Sequence, residues 1–337
     1  MSKLSLFLIF YLTLFCHSAL ANDSSWGEVN GTITLLKQND ISMAKERLLI
    51  AADRINVDYL FVNHGKQDVT LPITFPMPSI YQYAGQDLSP GVMNFKLSVN
   101  GKPIKTATRW VIMRFDKNDK NVEDITAKVI QSGWTIQQLI HSLKNDEALY
   151  NREKNALPPL PDEWFDSDGN PMFYAQQHFT WQQTFPAGKE VMINHSYTPS
   201  LSGGVPTDIQ YIVGDGTKEN PPEECLNNTT HKQVEALDKA IKTQHQDDMQ
   251  KDDDGKVMSQ IGWNNLSYIL STGANWKDGV INDFTLRIHK SSPEEVVVTC
   301  FKQPLKQISP LTLEYTQKDF KPDEDIHLQF YYDPFRE

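Results

Sequence analysis

The chain has 337 residues, 39% hydrophobic and 22% charged, enough to bury a large core as one elaborate domain or two. Its formal net charge is −11, and no basic cluster interleaved with aromatics occurs along it, which argues against nucleic acid and anionic lipid as partners.

Residues 1–21 read as a secretory signal peptide. Lys3 is the only charge ahead of an apolar run from Leu4 to Phe15, and Ala19-Leu20-Ala21 places small residues at both recognition positions of a cleavage site. The run is about a dozen residues, short of the roughly 20 that a spanning helix needs. Phe15 stands where a lipobox wants a small residue, so Cys16 belongs to the leader. The expectation is a mature chain from Asn22 with net charge −12, no membrane span after cleavage, and a periplasmic or secreted location. Only Cys225 and Cys300 then remain. An even count in an exported chain predicts a disulfide, worth roughly 4 kcal/mol on the loop-entropy account. With no CxxC spacing, a redox-active pair is disfavoured.

Strand signals dominate the rest. In "RINVDYLF", Ile55, Val57, Tyr59 and Phe61 alternate with polar residues, and after "NHGKQD" the period resumes at Val69, Leu71, Ile73 and Phe75. Two such runs around a short glycine-containing turn predict a β-hairpin, with Pro72 at a free edge. A second hairpin is predicted at "FKLSVNGKPIK", where Asn100-Gly101 supplies two positive φ angles. A third is expected in "FTWQQTFPAGKEVMINHSY", turning at Pro186–Lys189. Four further runs, around Phe284, Val296, Leu313 and Leu328, repeat the alternation. The fold class predicted is mainly β, with β-sandwich-type antiparallel sheets.

Two helical insertions interrupt the strands. Thr135 and Gln138 have capping-box spacing ahead of the stripe Ile136, Leu139, Ile140 and Leu143, with a shorter helix expected at 124–131. Thr230 and Gln233 repeat the box ahead of Val234, Leu237 and Ile241. The predicted organisation is an N-terminal β-sandwich region at 22–215 with a helical insertion near 122–155, a helical linker at 216–262, and a C-terminal β region at 263–337.

Catalytic signatures are scarce. There is no GxSxG, HExxH, GxGxxG or Walker lysine motif, so no catalytic residue, metal site or cofactor is predicted. "DDDG" at 252–255 lacks the acid at Gln250 and the bidentate glutamate at Ile261 that an EF-hand needs. "FDSDGN", with Asp166 and Asp168, reads as a solvated turn. His195 is in phase with Val191, Ile193 and Tyr197 and faces the core, whereas His178 falls out of phase with Phe179 and Trp181 and is expected on the surface.

The densest stretch is "NLSYILSTGANWKDGVINDF". Gly273, Asn275, Asp278 and Gly279 suit a long ordered turn. Trp276, with Thr272, Asn275 and Asp278 about it, is open to two readings. The ring stacks on a sugar while the polar groups bond its hydroxyls, or it is buried as the cap of a sheet corner. The corner is the favoured reading; the four residues are the candidate ligand contacts.

The segments "LLKQNDISMAKERLLI", "VDYLFVNHGKQDVTLPITFPMP", "WQQTFPAGKEVMINHSYTP" and "YILSTGANWKDGVINDFTLRI" through "VVVTCF" occur in that order. Together they resemble the exported bacterial family known as domain of unknown function 4424, over nearly the whole chain from Asn22. Residues 140–170 and 245–256 fit it least. More loosely, "YLFVNHGKQDVTLPITFPMP" before "FKLSVNGKPI" is similar in architecture to the β-sandwich VIT domain found beside von Willebrand A modules. The resemblance implies a secreted or periplasmic bacterial protein and brings no catalytic residue or cofactor with it. The function expected is binding or scaffolding of an envelope ligand or protein, without chemistry. The alternative is a hydrolase of envelope glycan or peptide whose acids and histidines converge only in the fold.

Overall fold

Three sheets share one core. In the computed structural model the eight-stranded sheet runs β16 (Lys306–Ser309), β17 (Thr312–Phe320), β14 (Ile281–His289), β3 (Ile41–Ile50), β4 (Ile55–Asn63), β11 (Glu190–Thr198), β6 (Met93–Val99) and β7 (Lys102–Ile104). The six-stranded sheet runs β2 (Thr32–Leu36), β1 (Ser24–Val29), β5 (Val69–Pro76), β10 (Phe173–Phe185), β8 (Ala107–Phe115) and β9 (Asn121–Asp124). The third, four-stranded, runs β12 (Ser202–Gly203), β13 (Gly262–Tyr268), β18 (Ile326–Tyr332) and β15 (Val296–Thr299). The helices are α1 (Thr126–Gln131), α2 (Ile136–Lys144), α3 (Gln210–Val213) and α4 (Asn228–Gln244). The structure describes residues 24–29, 32–77, 79–80, 93–118, 120–144, 157–199, 201–218, 220–251, 255 and 257–336. The signal-peptide reading of 1–21, and Asp252 and Asp254, lie outside them.

Alternation builds the main core. Ile55, Val57, Tyr59 and Phe61 of β4 bury together with Ile73 and Phe75 of β5, Phe284 and Leu286 of β14, and Leu328 and Phe330 of β18. The expected hairpin of β4 and β5 does not form. β4 pairs with β3 and β11, whereas β5 pairs with β1 and β10 in the opposite sheet. β10 and β11 likewise arch from one sheet to the other. A period of two states that one face is buried; it does not state whether the next strand pairs beside it or packs against it. Asn63, fully buried, pins both arches: its Nδ2 donates to the Gln67 and Phe185 carbonyls at 2.9 and 2.8 Å, and its own carbonyl accepts from the Gly188 N–H. The Asn100-Gly101 hairpin does form, with φ of 49° and 75°.

The eight-stranded sheet takes strands from both ends of the chain, because β14 pairs in parallel with β3. This pair departs from an all-antiparallel sandwich. Two satellite cores flank the main one. Thr135 and Gln138 form the expected capping box, and Leu139, Ile140 and Leu143 pack with Val129 and Trp164 over the far half of β10. On α4 the stripe Val234, Leu237 and Ile241 is buried as expected, but the cap is Asn227, whose side chain receives the Thr229 and Thr230 N–H groups. Thr230 is thus the third residue of the helix; asparagine is the stronger N-cap and starts the helix earlier.

Candidate functional site

The four-stranded sheet is packed on both faces, unequally. Leu266, Tyr268, Leu328 and Val297 point into the main core. On the other face, Val296, Val298 and Tyr331 are covered by α4. That face continues beyond the helix as polar side chains: Asn265 and Ser267 of β13 stand opposite Gln329 and His327 of β18. Here the helix gives way to a loop that carries Glu223 and Glu224.

Each wall has a cause in the sequence. Pro221-Pro222 ends the loop stiffly, and the Glu223 N–H donates to the Ile212 carbonyl at 2.8 Å, fixing Glu223 against α3. Two residues on, the Cys225–Cys300 disulfide ties the loop to the end of β15, with Cα atoms 5.1 Å apart. Cys225 takes a left-handed φ of 66°, uncommon for a residue with a Cβ, and the covalent tie holds it there. On the opposite side, Trp263 donates its indole N–H to the Val205 carbonyl at 3.1 Å, and Thr207 bridges Ile261 through its backbone.

Two cavities meet between these walls. One, of about 510 Å³, is lined by Glu223, Glu224, Asn265, Ser267, His327 and Gln329, among others. The other, of about 260 Å³, is lined by Thr207, Tyr211, Trp263 and Tyr331. Glu223, Asn265 and Gln329 line both. Gln329 donates its amide to Glu223 Oε1, and its carbonyl accepts the Tyr331 hydroxyl proton at 2.7 Å. Burial, and then the negative charge of Glu223, raise the Tyr331 hydroxyl well above its ordinary pKa, so it stays protonated. Ser267 Oγ lies 3.0 Å from His327 Nδ1. The Asn265 Oδ1 atom is buried and, among the described residues, has no hydrogen-bond partner.

A larger cleft, of about 590 Å³, lies beside β6 and β7. Three of its polar groups pair with one another: Asn194 Nδ2 donates to Asp58 at 2.6 Å and Ser98 Oγ donates to Asn194 Oδ1 at 3.3 Å. The smaller pair of cavities is the better candidate, because a buried acceptor there is left over.

The residues singled out from sequence sit elsewhere. Trp276 is 2% exposed and Thr272 is 1% exposed; Asn275 is half-buried and Asp278 is exposed with φ of 62°. The Trp276 ring lies 4.5 Å from Phe61 and 5.8 Å from Phe185, at the arched end of the sheets. His195 faces the core as expected, within 4.8–5.6 Å of Phe75, Phe95, Tyr59 and Trp181. His178 is buried rather than exposed: Nδ1 meets Thr74 Oγ1 at 3.0 Å and Nε2 meets Gln176 Oε1 at 3.1 Å. The outer face of β10 is covered there, which strand phase alone does not reveal. Asp166 accepts the Asp168 and Asn170 N–H groups in an exposed turn, and its pKa is held down by the Asn170 side chain first.

The family described as domain of unknown function, DUF4424, matches residues 21–328. The chain belongs to the DUF4424 family. No curated protein matches it. Among solved structures, it is similar to a Legionella pneumophila protein named for nutrient binding, with 13% identity and a TM-score of 0.44 over 92% of this chain and 69% of that one. It is also similar to the M1 zinc metallopeptidase of Deinococcus radiodurans, with 8% identity and a TM-score of 0.27 over 88% of this chain and 43% of the peptidase. Neither likeness carries a ligand, metal or activity across. Among the described residues of this DUF4424 chain, no helix is long and apolar enough to cross a membrane.

Glu223, Asn265 and Gln329 escape a sequence reading because each looks solvent-facing in its own strand or loop. A signal was present. "PPEEC" sets two carboxylates between a stiff proline pair and a cysteine expected in a disulfide, so the backbone that carries them is tied at both ends.

Proposed function

We propose that the chain is an exported protein of the bacterial cell envelope that binds a small polar ligand where the two cavities meet, and performs no chemistry of its own. The carrying observation is the buried Asn265 Oδ1, an acceptor without a partner among the described residues, standing on β13 beside Gln329 of β18 and near Glu223 of the overlying loop. A buried acceptor costs about 1–3 kcal/mol when unpaired, and a ligand toward which the side chain turns recovers it by supplying the proton. The Cys225–Cys300 bond supports export, because such bonds persist in oxidising compartments such as the periplasm. In this reading the 272–279 loop is a corner, with its tryptophan in the core.

The test is thermal unfolding of the mature chain with envelope glycans, peptidoglycan fragments, lipids, peptides and divalent metals. A ligand at about 100 times its dissociation constant adds roughly 2.7 kcal/mol, and each kcal/mol raises the midpoint by roughly 2 °C at this size. The expected result is a saturable rise that Asn265→Leu abolishes. A rise untouched by that variant but removed by Asn275→Ala moves the site to the loop.

One observation favours the hydrolase alternative: Ser267 Oγ and His327 Nδ1 are within hydrogen-bond reach inside the larger cavity. Both side chains are exposed, and water competes for each. Release of product from ester, glycan or peptide substrates, lost in Ser267→Ala, would decide for the enzyme.

A further inference from the structure

The cleft carries hydrogen-bonding groups of both kinds and a one-sided charge. The Gln329 amide N–H is given to Glu223, the Tyr331 O–H to Gln329, and the Trp263 indole N–H to the Val205 carbonyl. These donors are engaged inside the protein. What remains at the junction is mixed: Glu223 is a carboxylate and the Asn265 Oδ1 has no partner, while the Asn265 Nδ2 and the Tyr211 and Thr207 hydroxyls are donors without a bond among the described residues. Among the described residues, neither Lys nor Arg lines either cavity, whereas Glu223 and Glu224 place negative charge there. The smaller cavity adds three aromatic walls, Tyr211, Trp263 and Tyr331.

Such a site repels carboxylates and phosphates, which bring acceptors and negative charge. A neutral polyol can bond groups of both kinds there but brings no charge to answer Glu223 and Glu224. A protonated amine brings three donors, no acceptor and a positive charge that suits both a carboxylate and ring faces. Resting on the binding role proposed for this cleft, we infer that its ligand carries a primary ammonium group, received by Glu223 and the Asn265 carbonyl between the rings of Tyr211, Trp263 and Tyr331.

The test uses two matched pairs against the mature chain: D-glucosamine beside D-glucose, and 1,5-diaminopentane beside 1,5-pentanediol. Backbone and indole N–H resonances of Trp263, Asn265 and Gln329 are followed by NMR through millimolar concentrations. The amine of at least one pair should bind about tenfold or more tightly than its neutral partner, the scale of one charge-assisted hydrogen bond. Glu223→Gln, which keeps an acceptor for Gln329, should erase that preference while leaving the thermal midpoint in place. Glu224→Gln, at a residue lining the larger cavity only, should leave most of it. Equal binding of amine and neutral partner, insensitive to Glu223→Gln, overturns the ammonium inference and leaves the binding role standing. An equal loss in both glutamine variants shows a diffuse field and overturns the Glu223 contact. Silence of these resonances toward all four compounds, when the wider ligand panel shifts them, also overturns the inference alone. Silence toward everything removes the cleft as a site.

Discussion

Trp276 sets its ring 4.5 Å from that of Phe61, at an interplanar angle of 50°, and thereby closes the end of the core at which the chain arches between sheets. The neighbouring Asn275 carbonyl accepts the Gln38 N–H at 2.8 Å, so the corner also holds the entry to β3. Truncating a buried indole leaves a cavity that backbone arches pinned by Asn63 cannot collapse into. Trp276→Ala should therefore lower stability by roughly 3–5 kcal/mol in urea denaturation. A change within experimental error would place the ring outside the core and return the loop to the list of ligand sites.

The disulfide closes a separation of 75 residues between the cleft wall and β15. Denatured mature protein should show no free thiol toward a thiol reagent. The double variant Cys225→Ser, Cys300→Ser should lose about 2–4 kcal/mol, mostly through a freer unfolded chain. If Glu223 depends on this tie, the variant should also weaken the cleft's ligand. Unaltered affinity would leave its positioning to the backbone bond with Ile212.

The fold was legible where a residue's neighbours in sequence set its environment. The Asn100-Gly101 turn, the Thr135–Gln138 box and the stripe on α4 are local statements, and each appears in the structure. The parallel pairing of β3 with β14, and the arches that replace two hairpins, are choices among distant partners that share one alternation. The cleft is distant in the same sense: Glu223 and Gln329 are 106 residues apart and meet only because the segment that carries α4 folds back over the sheet. Their polarity read as solvent exposure because strand phase does not say what lies above a face.

Gly214 governs that fold-back. Its φ is 76°, and a Cβ there would lie 2.7 Å from the Pro222 nitrogen and 3.0 Å from the Asn220 carbonyl oxygen. Both contacts are backbone, and Pro222 immediately precedes Glu223. Gly216, in the same loop, has φ of 83° and open space around a Cβ. Comparison of the two separates conformational strain from collision. Gly216→Ala should cost about 1 kcal/mol, and Gly214→Ala about 1–3 kcal/mol more, by chemical denaturation. Equal costs would mean that the loop shifts without resistance and that Glu223 is not held by it.

His178 gives the fold a pH dependence of definite sign. Burial, with the charge of Arg109 second, lowers its pKa from 6.5 to about 3. Below pH 6.5 the unfolded chain takes up a proton that the native ring, held between Thr74 and Gln176, refuses until about pH 3. Its contribution to stability is therefore complete above pH 6.5, declines as pH falls through that window by up to about 1.4 kcal/mol per unit, and stops changing below about 3. Glu295 acts in the opposite sense, because burial raises its carboxyl pKa. The slope of the native protein alone is thus a mixture, and the comparison is made with His178→Gln. Between pH 6.5 and 5, the native protein should lose about 1–2 kcal/mol more than the variant in urea titrations. Parallel decline of the two would show that the ring takes up its proton in the folded state, with the Thr74 and Gln176 contacts rearranged to admit the charge.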